Sequence, residues 1–161
     1  MTKSEHVLTV AEYASLEELN EADAWLLNEA RAATQFAYAP YSNFNVGAVA
    51  RLINGEIVTG TNQENASYPA GLCAERVLLS SITSRHSCVA VETIAVSYNN
   101  MKGKSSTPIS PCGICRQSLA EYQQRTQNAI RMILSGMEGK ILIIENVSQL
   151  LPLAFTSQDL K

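Results

Sequence analysis

Nothing in this 161-residue chain approaches the ~20 consecutive apolar residues that a bilayer-spanning helix requires. The first 13 residues carry acids at Glu5 and Glu12 and no apolar stretch of the kind that heads an exported protein, so a cytoplasmic location is expected. Basic charge is also scarce. Twelve Lys and Arg face 15 Asp and Glu, a net charge of −3, which argues against a long polynucleotide as partner and for a small ligand. Internal repeats and low-complexity segments are absent. With 46% hydrophobic and 17% charged residues, the chain can bury enough apolar surface to offset its ordering entropy, which excludes bulk disorder. Its length suits one core, with residues 1–15 as an N-terminal arm and 16–161 as a single domain.

Only four cysteines are present, and without an export signal they argue for metal binding or catalysis over a disulfide framework. Cys112 and Cys115 form a C-x-x-C pair behind Pro111, and Cys73 lies 39 residues ahead of it. Cys88, before an apolar run, reads as a buried small hydrophobe. The two histidines, His6 in the leading segment and His86 in a polar connection, have no companion at ligand spacing.

Ser15-Leu16-Glu17-Glu18 has the form of a capping box, and Leu19, Leu26, Ala30, Ala33 and Ala37 recur at helical spacing, which predicts one helix over 16–37. Trp25, Leu27 and Phe36 fall off that stripe and suggest a second packing partner. Residues 44–53 and 56–61 around Asn54-Gly55 read as a hairpin with a type I′ turn. A helix is predicted over 74–82, a strand over 89–97, a long loop over 99–110 and a helix from Pro111 towards Gln127. Strands over 131–135 and 140–145 are joined too tightly for a crossover and should be antiparallel. The fold class is therefore α/β: a three-layer α/β/α sandwich with a mixed sheet of about five strands.

This map puts Cys73 and Cys112 at helix N-termini, where the macrodipole and free N–H groups favour a thiolate. Structural zinc sites are usually closed by four protein ligands, whereas a catalytic site keeps three and leaves a position for water. A fourth ligand is not evident here. Glu75, two positions after Cys73, is placed to exchange protons with such a water without coordinating, which is hydrolytic chemistry.

The pattern Cys73-Ala74-Glu75 with Pro111-Cys112-Gly113-Ile114-Cys115 matches the three-cysteine form of a zinc deaminase signature. Together with Tyr41 to Ala48, Asn62 to Pro69 and Leu150 to Phe155, it resembles the zinc-dependent cytidine/deoxycytidylate deaminase family, in its homotetrameric class acting on free nucleosides. The resemblance covers roughly 38–155; Ile114 stands where the family often has alanine, and the leading residues match nothing in it.

The resemblance implies one zinc per chain on Cys73, Cys112 and Cys115, with Glu75 moving protons as cytidine or 2′-deoxycytidine becomes uridine or 2′-deoxyuridine and ammonia, in pyrimidine salvage. It also implies that Arg76 tunes the ligand sulfurs, that Asn62 and Glu64 hold the ribose hydroxyls, and that Phe44 and the Ala74 backbone meet the nucleoside. Phe155 would close an active site of the homotetramer, that of a neighbouring subunit. Arg116 reads as a solvated helix arginine. The competing readings are a deaminase of another cytosine nucleoside of the blasticidin type, which would lack the Asn-x-Glu-Asn motif at Asn62 to Asn65, and a non-catalytic zinc-stapled module, which would not need Glu75.

Overall fold

Apolar runs become strands, and runs at helical spacing become helices, in the computed structural model, which describes residues 1–87 and 89–161. In chain order they are strand β1 (Ala11–Tyr13), helix α1 (Glu21–Ala33), strands β2 (Phe44–Leu52) and β3 (Ile57–Thr61), helix α2 (Ala74–Arg85), strand β4 (Val91–Asn100), helix α3 (Gly113–Thr126), and strands β5 (Arg131–Ser135) and β6 (Ile141–Ile144). Cys88, expected in the core, lies outside the described residues. Among the described residues, no helix is long and apolar enough to cross a membrane.

All strands join one mixed sheet in the order β1-β6-β5-β4-β2-β3. β2 runs antiparallel to both β3 and β4, β4 is parallel to β5, and β6 is antiparallel to β5 and to β1. The sheet thus has six strands where about five were expected. The extra one is β1, three residues of the leading arm whose pairing partner, Ile141 to Ile143, is far away in sequence.

Both faces of the sheet are covered, so its central strands are apolar on both sides. Leu26, Leu27, Ala30 and Ala33 of α1 pack on Val49, Ala95 and Ile133, while Leu78 and Ile82 of α2 and Leu119 of α3 pack with Ile94, Val96 and Met132. The expected three layers result. Two glycines set the helix distances: a Cβ on Gly47 would strike the Ala30 carbonyl of α1, and one on Gly60 would strike the backbone of α2 at Ala74 and Leu78. The sheet therefore touches helix backbone at both points.

Three local expectations change. The helix over 16–37 is divided into a 3-10 turn Leu16–Glu18, α1, and a second 3-10 turn Thr34–Phe36. Asn20 interrupts it, because its side chain accepts from the Asp23 amide (2.9 Å) and caps α1, whereas Ser15 makes no cap bond. Leu27, placed off the apolar stripe, is fully buried, while Trp25 and Phe36 are exposed. In the hairpin, Gly55 alone has positive φ (83°) and its amide donates to Leu52 O, so the turn is type I with a bulge glycine and not type I′.

Candidate metal centre and active site

Because β2 is antiparallel to both neighbours, β3 and β4 point the same way, and the chain leaves both at the same end of the sheet. The helices that follow, α2 and α3, start there. Cys73 is the N-cap of α2 and Cys112 the N-cap of α3, both with extended backbone, and Cys115 is buried in the first turn of α3. Two helix N-termini thereby aim their partial positive charge at one cluster of thiols.

Cys73 Sγ lies 3.8 Å from Cys112 Sγ, which lies 3.4 Å from Cys115 Sγ. Two sulfurs each ~2.3 Å from a tetrahedral zinc stand about 3.8 Å apart, so the donors are spaced for a common ion. Their titration supports this. The Cys73 thiol is pulled down to about 6, first by its hydrogen bond with Cys115 and also by Cys112 and Arg76, while Cys115 is driven up. Without a cation Cys115 resists losing its proton beside the other sulfurs, and a bound Zn²⁺ would offset that resistance. The three sulfurs are the only group of three or more His, Cys, Asp or Glu among the described residues spaced to hold a metal ion.

Glu75 is the second residue of α2, in its first turn, and is 6% exposed. Burial raises its carboxyl above the ordinary value of 4.5, opposed by a backbone hydrogen bond and one with Cys115. Such a carboxyl holds its proton more readily than one in water does, which suits a group that takes and returns protons. Arg76 begins the helical ladder by donating its amide to Cys73 O (3.1 Å).

A cleft of about 330 Å³ opens over the sulfurs, lined by Val46, Asn62, Glu64, Ala74, Glu75 and Ile109 together with Cys73 and Cys112. It adjoins a second hollow of about 390 Å³ between Tyr41 and Tyr68, with Glu64 common to both. Asn62 Oδ1 accepts from the Val46 amide (2.7 Å) and Nδ2 donates to Phe44 O (2.9 Å), which fixes the amide against β2. Glu64 Oε2 accepts from the amides of Tyr41 (2.8 Å) and Ser42 (3.3 Å). Hydrogen bonding, first from the Ser42 side chain, holds the Glu64 carboxyl below its ordinary value.

Two predicted contacts, Phe44 and Phe155, are not among the residues that line this cleft in the single chain. The Phe44 ring stacks on Tyr98 (4.7 Å between centroids, 12° between planes), one pleat along β2 from Val46. Phe155 is 60% exposed, and its carbonyl accepts from Gln117 Nε2 (2.8 Å), so the tail runs along α3 of its own chain and not into its own cleft. Val46, Tyr68, Ile109 and Ser110 line the cleft but were not singled out from sequence. Tyr68 lies between Asn65 and Pro69 of a motif already recognised, and Ser110 abuts Pro111; these positions were the available signals.

Comparison with known proteins bears on this geometry. Residues 20–132 match the family described as "Cytidine and deoxycytidylate deaminase zinc-binding region". A cytidine deaminase of Halalkalibacterium halodurans is 39% identical over 137 residues, covering 84% of this chain and 95% of the relative. The crystal structure of cytidine deaminase from Burkholderia pseudomallei superposes with a TM-score of 0.70 at 35% identity, over 85% of this chain and all of the other. A cytidine deaminase structure from Mycobacterium tuberculosis gives a TM-score of 0.64 at 29% identity, covering 84% and 98% of the two chains.

Proposed function

Because the chain belongs to the cytidine and deoxycytidylate deaminase family, we propose that it hydrolyses cytidine and 2′-deoxycytidine to uridine and 2′-deoxyuridine with release of ammonia, in pyrimidine salvage. The observation that carries this reading is one end of the sheet: three thiols at two helix N-termini, a buried carboxyl beside them and a cleft above. Residues 16–161 act as a single catalytic domain.

Cys73, Cys112 and Cys115 would hold one zinc, which would supply the Lewis acidity that lets a water add to C4 of cytosine. Glu75 accepts the water's proton and passes it to N3, then carries the second proton to the exocyclic nitrogen, which leaves as ammonia. Arg76 offsets the charge of the thiolates. The Ala74 backbone meets the base. Asn62 and Glu64 face the ribose, whose hydroxyls can donate to the carboxylate and accept from the remaining amide N–H. Phe44 flanks the nucleoside from β2.

Further up in scale, the active form is a homotetramer in which Phe155 covers a neighbouring subunit's cleft. Supporting this are Leu153 (87% exposed), Tyr68 (74%), Ile114 (62%) and Phe155 (60%), large apolar groups that a lone chain leaves in water. A metal set of free thiols suits the reducing cytoplasm.

A steady-state panel of cytidine, 2′-deoxycytidine, CMP and cytosine tests the reading. The nucleosides should turn over and CMP should not, since Glu64 and Glu75 line the cleft and, among the described residues, no basic side chain does. Comparable kcat/KM for CMP and cytidine would overturn it.

A further inference from the structure

Arg116, read from sequence as solvated, is half-buried on α3 and bonded at two points. Its Nε donates to Pro111 O (2.8 Å) and its Nη1 to Leu150 O (3.2 Å). Pro111 O belongs to the peptide that carries the Cys112 amide, immediately before the helix and outside its ladder. Leu150 ends the 3-10 turn Val147–Leu150, from which the apolar tail departs. The next residue, Gln117, takes the tail's other end at Phe155 O (2.8 Å). Consecutive side chains of α3 therefore hold both ends of the tail, and one of them also holds the turn that presents a metal ligand.

We propose that Arg116 is a positioning residue that couples the metal turn to the C-terminal tail, so that the seating of Cys112 and the placement of Phe155 depend on one guanidinium. The part of this that concerns catalysis rests on the deaminase reading above. The coupling itself does not. The planar fork suits two carbonyls in different directions, whereas a lysine ammonium on a flexible stem does not reproduce that geometry. Outer-shell partners of metal ligands are worth about 10–100-fold in metal affinity, and Arg116 acts on the peptide next to a ligand.

The zinc-loaded full-length protein carries the test. Zinc release to a chromogenic chelator and amide hydrogen exchange over 108–116 and 150–156 are measured for wild type, R116A, R116K and Q117A. R116A should release zinc about 10-fold faster or more and lose protection in both segments together. Q117A should lose protection only over 150–156, with zinc release unchanged. R116K, which keeps the charge and folds with less disturbance, should still lose protection in both segments. If R116K matches wild type in every readout, or if R116A loosens one segment alone, the coupling is wrong. Neither readout needs turnover, so failure of the coupling and failure of the deaminase reading are distinguishable; with cytidine as substrate, Q117A should raise KM while R116A also lowers kcat.

Discussion

A buried carboxyl is costly to ionise, and Glu75 shows the direction of that cost. Its folded pKa is raised, chiefly by burial, so the folded chain binds this proton more tightly than the unfolded chain does. The resulting stability is fully present below the ordinary 4.5 and is lost as pH rises through the raised folded value. Glu75→Gln should therefore raise the Tm of the metal-free protein at neutral pH, with the gap to wild type closing below pH 4.5 in a calorimetric series. The same variant should retain zinc yet lose at least the ~10²-fold of a positioned acid/base, and a kcat above a tenth of wild type would remove Glu75 from that role. The sulfurs and Glu75 were legible in the sequence because their spacing is local: one helix start supplies Cys73 and Glu75, another supplies Cys112 and Cys115. Arg116 was not, because one of its acceptors, Leu150, lies 34 residues away and nothing near Arg116 announces it.

At the scale of elements, the site depends on how closely α2 lies on β3. Gly60 permits that approach, since an added Cβ would meet the backbone of Ala74 and Leu78, which cannot move aside as a flexible side chain can. Gly60→Ala should push α2 outward, carrying Cys73 and Glu75 with it, and cost about 1–3 kcal/mol of stability as overpacked sites do. Denaturant unfolding reads the stability, and zinc titration should show weaker binding although no ligand is changed. Helix positions and the hairpin followed from periodicity and turn residues, yet two boundaries were set by competing local bonds. Asn20 captures the Asp23 amide and starts α1 five residues after Ser15, and the bulge at Gly55 replaces the expected turn. β1 could not be read from its own three residues, because its strand state exists only through Ile141 to Ile143.

For the whole molecule, the proposed tetramer gives the tail a role beyond its own chain. Truncation after Pro152 removes Leu153 and Phe155, both exposed in the single chain, and should raise KM or lower kcat while zinc stays bound. Sedimentation of the truncated protein then separates loss of assembly from loss of a covering ring; full activity, or an active wild-type monomer, would make the tail merely structural. At the edge of the sheet, β1 has a different consequence. It occupies the outer side of Ile141–Ile144, four consecutive β-branched and leucine residues, and Lys140 pairs with Glu12 (3.0 Å) beside it. Deleting residues 1–13 would leave that strand with a free row of N–H and C=O groups on an uncharged, apolar ribbon, a template for further strands. The deletion should keep its zinc when dilute but turn turbid with concentration and bind an amyloid dye, making this short arm the protein's guard against fibrillar self-association.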